Sequence, residues 1–431
     1  MEFLRFPLPE KVDEEKNRGN ISIAMKIIDY YLSMDLPNEM KKRLEYEKIR
    51  LGLIKKDYGL GEKKGLKMAF SRIENLTKEE FYSYMENGLI DYKVIDGKRR
   101  YFNRFIENLI FLKPDLKLRT KVGEDRVKSL VDDSIKRISM GEKLRYRVVA
   151  GIRVRLLKDS FYRVWLPFPV ENDFSNNVKV IKTSHTKYEI SEKMEHRTIY
   201  MEGTGKTFYV EFSYDISEIS GEGDKSYKNL NNNQEKFPHV QFTPYIKYLA
   251  SEIVGNENDP ILKAKKIYNW IISHVRYTYV HEYILFNNIS EYTATSLRGD
   301  CGMQALLFIT LCRASGINAK WQSGWFVTPY SASPHDWAQV YHEEKGWIPV
   351  DPSFGNEFKG NTLRGDFYFG SLDGFRMVAN EDFQVDLIPE KKFFRSDPVD
   401  NQRGEVEDTE GNIYFDKRAS KIYVKKFEKI G

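Results

Sequence analysis

Cysteine is scarce in this sequence, whose 431 residues include only Cys301 and Cys312. Two cysteines exclude a disulfide framework and any zinc site built from four cysteines. Apolar runs of 18 residues are absent, and the N-terminus has no apolar stretch after a basic start. Neither a transmembrane helix nor a signal peptide is therefore predicted, and we expect a cytoplasmic protein.

No charge of one sign dominates. The 68 Lys and Arg residues against 63 Asp and Glu residues give a net charge of +5, and no block of five or six like charges occurs. The sequence therefore gives no reason to expect nucleic-acid binding. What it does contain is 41% hydrophobic and 30% charged residues, the balance of a globular protein with a sizeable core. Its length predicts about three domains.

Hydrophobic periodicity changes along the chain. Residues 1–135 are predicted to be mainly helical, because apolar residues recur at helical spacing from Ile21 to about Ile110. Residues 138–219 hold short β-branched and aromatic runs between turn residues, which predicts an antiparallel β-sandwich-like domain. Residues 220–237 have almost no large apolar side chains and the composition of a linker.

Cys301 follows Asp300, a possible helix cap, at the start of the apolar segment CGMQALLFITLC. A thiol in the first turn of a helix meets unpaired N–H groups and the positive end of the helix dipole, and both favour the thiolate. Cys301 is therefore a candidate nucleophile. Cys312 lies eleven residues later, roughly 16 Å along the axis, which is too far for a disulfide. We expect Cys312 to be a buried structural thiol.

The segments INAKWQSGWF, HDWAQVYH and GWIPVD follow as predicted strands, with EEKG as the turn of a hairpin between the last two. His335 begins one arm and Asp351 ends the other, so both lie at the same end of the sheet. If the helix starts at that end, Cys301, His335 and Asp351 converge as nucleophile, base and orienting carboxylate. Asp336 competes for the last role, but strand alternation predicts that it points away from the site.

Other interpretations of these residues are weaker. A single buried cysteine or strand histidine is usually structural. His335, Asp336 and His342 are close enough in sequence to suggest a metal site, but their spacing matches no recognised ligand pattern. Four tryptophans surround the predicted site and are explained either by a substrate cleft or by core packing; they are Trp321, Trp325, Trp337 and Trp347.

RGDCGMQALL followed by PHDWAQVYHEEKGWIPVDPS resembles the transglutaminase-like (papain-like) cysteine superfamily, as found in bacteria, over roughly residues 240 to 355. The separations are 335 − 301 = 34 and 351 − 335 = 16. The resemblance implies an α+β fold in which residues 238–390 pack a helix bearing the nucleophilic cysteine on an antiparallel sheet. The β-sandwich precedes this catalytic domain, and residues 391–431 form a β-rich tail.

By the same resemblance, Cys301 is the nucleophile, His335 the general base and acid, and Asp351 the residue that orients the imidazole. Tyr277 and Tyr279 lie where an aromatic residue often helps to bind the oxyanion, and Trp337 is a candidate for the substrate cleft. The implied chemistry is acyl transfer on amide bonds of a peptide or protein through a thioester, by a protease or amidase or by a transglutaminase or deamidase. It needs no metal and no cofactor.

Two related groups fit less well. The peptide N-glycanase type carries two Cys-x-x-Cys zinc pairs, which two cysteines cannot supply. Arylamine acyltransferases share the order of the three residues, but GW..VDP fits the transglutaminase-like group better. A different class remains as the alternative, a non-catalytic or latent scaffold with this fold. The intact set of three residues favours an enzyme.

Overall fold

The structure is a computed structural model that describes residues 1–120, 126–192, 194–227, 230–357 and 362–431. It divides into two compact units. The first comprises Met1–Glu124 with Arg276–Asn287, and the second comprises Asp125–Val275 with Asn288–Gly431. The expected α+β class is confirmed, because both units combine helices with antiparallel strands.

The N-terminal part of the first unit is mainly helical, as predicted. Its helices are α1 (Glu10–Asn17), α2 (Ile21–Leu32), α3 (Asn38–Asp57), α4 (Glu62–Arg72), α5 (Lys78–Glu86) and α6 (Phe105–Leu112). The start of α5 shows the local cause of helix formation: Thr77 Oγ1 accepts from the Glu80 amide and Glu80 Oε2 accepts from the Thr77 amide, a capping box.

A small sheet in the first unit escaped prediction. Its strands are β1 (Leu60–Gly61), β2 (Tyr92–Ile95) and β3 (Lys98–Tyr101), in the order β1-β3-β2. Asp96 and Gly97, both at positive φ, form the two-residue turn between β2 and β3. An Asp-Gly pair is a strong hairpin signal.

Residues 276–287 contribute strand β9 (Arg276–Tyr277) and a 3-10 turn at Tyr283–Leu285. Arg50 donates to Asn287 Oδ1 at 2.8 Å and to the carbonyl of Leu285. Asn108 exchanges two hydrogen bonds with the backbone of Tyr279. This late segment of the chain is therefore an integral part of the first unit.

The second unit contains a large antiparallel sheet. Its strands are β4 (Arg145–Pro167), β5 (Ser175–Thr183), β6 (Glu189–Ile190), β7 (Thr198–Ser217), β16 (Glu405–Glu407) and β17 (Arg418–Lys429). The order is β16-β4-β7-β5, while β17 also pairs with β4 and β6 with β7. Alternate residues of β4, such as Val148 and Ile152, are fully buried, as expected for a strand with one face in the core.

A second sheet and a group of helices complete this unit. The sheet consists of β11 (Ala319–Val327), β12 (Ala332–His342), β13 (Gly346–Val350) and β15 (Arg376–Asn380), in the order β13-β12-β11-β15. The helices are α7 (Arg126–Ser139), α8 (Pro244–Val254), α9 (Pro260–His274), α10 (Ile289–Ser296), α11 (Cys301–Ala314), α12 (Pro352–Glu357) and α13 (Thr362–Phe367). Short strands are β8 (Ile219–Ser220), β10 (Arg298–Gly299) and β14 (Ser371–Leu372).

The two sheets of the second unit share a hydrophobic core. Trp325 of β11 and Met377 of β15 belong to the same buried cluster as Val148 of β4 and Phe212 of β7. The β-rich region and the sheet that carries the candidate site therefore support each other directly.

The segment predicted as a linker runs along the second unit. Asp224 and Trp347 exchange two backbone hydrogen bonds, of 2.9 and 2.8 Å, and the Ala319 amide donates to the carbonyl of Asn232. Backbone pairing needs no apolar side chains, so composition gave no sign of these contacts.

Candidate active site

Cys301 is the first residue of α11, and the predicted cap is confirmed: Asp300 Oδ1 accepts from the Met303 amide at 3.1 Å. The helix packs on β11 and β12, and its residues from Cys301 to Arg313 are all buried. Cys301 is 9% exposed. Cys312, in the same helix, is a fully buried free thiol.

The predicted hairpin is also confirmed. β12 and β13 pair antiparallel, with Ala338 opposite Val350, which brings His335 and Asp351 to the same end of the sheet. His335 Nε2 lies 2.7 Å from Asp351 Oδ2. Asp351 therefore holds the Nε2–H tautomer, and Nδ1 is left as the basic nitrogen. Within the described residues, Nδ1 makes no hydrogen bond.

Burial opposes the negative charge of Asp351, but His335 and then Arg376 outweigh it and lower the pKa of this carboxyl. Arg376 Nη2 donates to Asp351 Oδ2 at 3.1 Å, and the Phe354 amide donates to Oδ1 at 3.0 Å. The pKa of His335 is lowered, because burial outweighs the opposing effect of Asp351. The pair therefore consists of a carboxylate and a neutral imidazole.

Aromatic rings enclose the imidazole. Trp337 stacks on His335 with ring centroids 5.7 Å apart, and Phe354 lies 4.7 Å away. Trp337 is fully buried and donates from Nε1 to Gln322 Oε1, so its ring supports the imidazole from within the core. The other three tryptophans near the site, Trp321, Trp325 and Trp347, are fully buried as well, and core packing accounts for all four.

Asp336 does not point away from the thiol, so that expectation was wrong. Cys301 Sγ donates to Asp336 Oδ2 at 3.2 Å. Strand alternation places Asp336 and His335 on opposite faces of β12, but it does not fix which residue lies beside the start of α11. In the structure the thiol is hydrogen-bonded to Asp336 and the imidazole to Asp351.

The expectation of a thiolate was also wrong for this arrangement. Burial raises the pKa of the Cys301 thiol well above its usual value, and the carboxyls of Asp336 and Asp300 raise it further. The favourable field of a helix N-terminus is a modest effect, and desolvation with two nearby carboxyls outweighs it. The surroundings of Cys301 therefore favour the thiol over the thiolate.

Sequence reasoning missed two side chains that contact these residues. Arg376, on β15, is 2% exposed and bonds Asp351. Gln402 donates from Nε2 to Asp336 Oδ1 and to the carbonyl of His335 at 2.9 Å. Both lie beyond the segment that carries the family resemblance. For Arg376, the local sequence signal was an aspartate three residues earlier, Asp373, with which it forms an ion pair of 2.9 Å. Gln402 had no such signal.

Gly324 allows β15 to approach the site. It pairs with His335 across β11 and β12 and with Val378 across β11 and β15. A Cβ atom at this position would lie 2.0 Å from the carbonyl oxygen of Met377, so only glycine fits without displacing the strand that carries Arg376.

The two tyrosines suggested for the oxyanion belong to the first unit. The rings of Tyr277 and Tyr279 lie 5.3 and 5.6 Å from that of Phe111, and the Arg104 guanidinium lies 3.3 Å above the Tyr279 ring. These contacts define their position, while a role in oxyanion binding stays a prediction.

His342, the third member of the alternative metal site, ends β12 and accepts a hydrogen bond from the Glu344 amide at 3.2 Å. Across the described ranges, no group of three or more His, Cys, Asp or Glu side chains has the arrangement of a metal site. In the same parts of the chain, no helix has the length and apolar character needed to span a membrane.

Residues 247–352 match the family model of the transglutaminase-like superfamily, and this segment includes Cys301, His335 and Asp351. It is a transglutaminase-like domain, which confirms the resemblance. An uncharacterized protein of Haemophilus influenzae is 25% identical over 137 residues, covering 26% of this chain and 37% of that protein. The chain thus spans little more than a third of the length of this curated relative.

One solved structure with some similarity is a candidate cysteine protease from Cytophaga hutchinsonii. It is 14% identical, with a TM-score of 0.44, and the match covers 67% of this chain and 92% of the Cytophaga chain. The periplasmic domain of TgpA from Pseudomonas aeruginosa has 12% identity and a TM-score of 0.31, covering 50% and 90% of the two chains. Both TM-scores are too low to support a statement about activity.

Proposed function

We propose that this protein is a cysteine-dependent enzyme that transfers the acyl group of an amide in a peptide or protein through a thioester. Cys301 is the nucleophile, His335 the general base and acid, and Asp351 the residue that orients the imidazole. The observation that carries the proposal is the 2.7 Å bond between His335 Nε2 and Asp351 Oδ2, which leaves Nδ1 as a base in the same domain as helix α11, whose first residue is Cys301.

The reaction follows from these roles. Nδ1 of His335 accepts the thiol proton as Sγ attacks the amide carbonyl carbon. The C–N bond of the tetrahedral intermediate then breaks, and the imidazolium returns the proton to the leaving amine. A thioester on Cys301 remains. Water releases the acyl group as an acid, whereas a primary amine releases it as a new amide.

Asp351 makes this cycle possible because its carboxylate stabilises the imidazolium that forms in each proton transfer. His335 and Arg376 together keep that carboxylate ionised in a buried position. The raised pKa of Cys301 and the lowered pKa of His335 favour a neutral thiol and a neutral imidazole, a pair that can exchange one proton when substrate binds. No cofactor takes part in the proposed cycle.

The test is a peptide library presented to the wild-type protein, with acyl adducts on Cys301 detected by intact mass and tryptic mapping. Turnover is measured with and without an excess of a primary amine, since acid products indicate hydrolysis and amide products indicate transfer. Cys301→Ala should lose both adduct and turnover, while Cys312→Ala should keep both. Turnover that survives in Cys301→Ala would overturn the proposal.

One observation favours a second candidate, a latent or non-catalytic binding protein. Cys301 is 9% exposed, and its thiol is hydrogen-bonded to Asp336. The thiol would have to leave this hydrogen bond before it could attack a carbonyl carbon. This candidate predicts peptide binding of equal affinity in wild type and Cys301→Ala, with no acyl adduct on either. A cytoplasmic location stays a prediction under both candidates.

A further inference from the structure

The hydrogen bond of the Cys301 thiol goes to a carboxyl and not to the proposed base. Sγ lies 3.2 Å from Asp336 Oδ2, while His335 is engaged through Nε2 with Asp351. Asp336 is 3% exposed. A buried carboxyl is costly to desolvate, so other interactions must offset the cost of placing Asp336 beside the Cys301 thiol.

The C-terminal region holds Asp336 in this position. Gln402 Nε2 donates to Asp336 Oδ1 and also to the backbone carbonyl of His335. One amide group therefore ties the carboxyl to its own strand and leaves Oδ2 for the thiol. Gln402 lies in the part of the chain predicted as a tail, which thus reaches the candidate site.

A second carboxyl from the same region contacts Asp336. Asp400 interacts electrostatically with it, and Ser323 Oγ donates to Asp400 Oδ2. Ser323 pairs with Asp336 across β11 and β12. Asn380 Nδ2 in turn donates to Ser323 Oγ at 3.0 Å, so the network continues from the thiol through three strands.

We propose that Asp336 is a positioning residue that holds the Cys301 thiol in a resting hydrogen bond, and that Asp400 and Gln402 control the strength of this hold. The proposal rests on the proposed function, since it concerns the same nucleophile. The thiol must exchange Asp336 for Nδ1 of His335 before it attacks an amide. The C-terminal region is then part of the machinery that sets thiol reactivity.

The charges around this network determine how it responds. Asp300, the cap residue before α11, acts on both Cys301 and Asp336. From the C-terminal region, Asp397 and Asp400 act on Asp336. Burial raises the pKa of Asp336 well above its usual value, and Asp400 and Asp300 raise it further. The pKa of Asp397 is raised to about 8, by burial and then by Asp400.

The cations near this network act on its outer carboxyls. Burial raises the pKa of Asp400, and the bond from Ser323 with the charges of Arg395 and Arg403 opposes that rise. The carboxyls of such a cluster titrate as a coupled group, so the ionisation of each one depends on the charge of the others. The protonation of Asp336 therefore depends on these neighbouring charges. Its strength as a hydrogen-bond acceptor for the thiol depends on them as well.

Two isosteric substitutions should change thiol reactivity in opposite directions. Asp336→Asn removes the carboxyl beside the thiol and the negative charge that it carries when ionised. The pKa of Cys301 should then fall by about one unit or more, with roughly tenfold faster alkylation in the pH range where wild-type Asp336 is ionised. Asp400→Asn removes the charge that favours protonation of Asp336. Asp336 then ionises more readily, holds the thiol more firmly, and slows alkylation by about threefold or more.

The experiment measures the rate of iodoacetamide labelling of Cys301 in the full chain from pH 5.5 to 9.5, by mass spectrometry of the Cys301 peptide. The Asp386→Asn variant, at an exposed aspartate, is the control and should match wild type. Circular dichroism and thermal unfolding establish that each variant is folded. No amide substrate is used, so failure of the proposed function leaves this result unaffected.

Faster labelling in Asp336→Asn with slower labelling in Asp400→Asn supports the proposal. Changes in the same direction in both variants would indicate simple loosening of the site and overturn it. So would a pH profile of Asp336→Asn within twofold of wild type. If Asp336→Asn does not fold, Asp400→Asn decides alone: slower labelling supports the proposal, and unchanged or faster labelling refutes it.

Discussion

Arg376 Nη2 lies 3.1 Å from Asp351 Oδ2, so the carboxylate that is hydrogen-bonded to His335 also neutralises a buried guanidinium. Arg376 extends this contact to Asp373, 2.9 Å from its Nη1. The side chains of all three residues are at most 2% exposed. Asp351 is thus one member of a buried ion triad, so the candidate site contributes to the packing of the fold.

Arg376→Met should lower the free energy of unfolding by about 3–5 kcal/mol, because it leaves two buried carboxylates without their cation. Arg376→Lys keeps the charge and should cost less. Urea unfolding measures both, with Arg5→Met, at an exposed surface pair, as the control that should change little. A loss below about 1 kcal/mol in Arg376→Met would show that the triad does not stabilise the fold.

Asp351→Asn should reduce amide turnover on the order of a thousandfold or more, because an amide cannot stabilise the imidazolium and favours the wrong tautomer. The structure adds a cost in stability, since Arg376 would retain only Asp373. Steady-state kinetics and thermal unfolding on the same preparation separate the two effects. Turnover close to wild type in a folded Asp351→Asn protein would remove Asp351 from the mechanism.

Cys301→Ala should abolish turnover with little change in stability, because Cys301 is at the start of its helix and contacts polar groups. Cys312→Ala should keep turnover at permissive temperature and lower the free energy of unfolding by about 1–2 kcal/mol, since it leaves a cavity around a fully buried side chain. Kinetics and denaturant unfolding of the two variants check this contrast. Equal loss of activity at matched stability would contradict it.

His281 should stabilise the first unit in a pH-dependent manner. Nδ1 lies 3.0 Å from Asp57 Oδ2, and Nε2 lies 3.0 Å from the Tyr58 hydroxyl and 3.4 Å from Asp91 Oδ2. Burial opposes the imidazolium, but the two carboxylates outweigh it and raise the pKa of His281. The stabilisation is therefore complete below about pH 6.5 and lost as the pH rises through the folded pKa.

This predicts that the melting-temperature difference between wild type and His281→Asn is largest near pH 5.5 and shrinks toward pH 9. A difference that stays constant across this pH range would mean that His281 acts only through packing.

Much of the candidate site could be predicted from the sequence, because its signals are local. Asp300 as cap, Cys301 in the first turn, and the hairpin that aligns His335 with Asp351 each depend on a few adjacent residues. Periodicity and turn chemistry determine such features. The same reasoning predicted mainly helices in residues 1–135 and strands in residues 138–219.

The rest depended on contacts between distant parts of the chain. Asp336 was assigned to the wrong surroundings because alternation gives the face of a strand but not its neighbour on that face. Gln402 reaches Asp336 from 66 residues away, and no local pattern marks a glutamine for that contact. The thiol was expected to ionise because the helix dipole is readable in a sequence, whereas burial among carboxyls is a property of the folded chain.

The division of the chain has a consequence for its synthesis on the ribosome. The first unit needs Tyr283 and Ile284, both buried, yet they are made 159 and 160 residues after Glu124, where its N-terminal part ends. At about 5–20 residues per second, this is a delay of roughly 8–32 s. During that interval the nascent N-terminal part exposes the apolar surface that this segment later covers. A chaperone could bind that surface at this stage of synthesis.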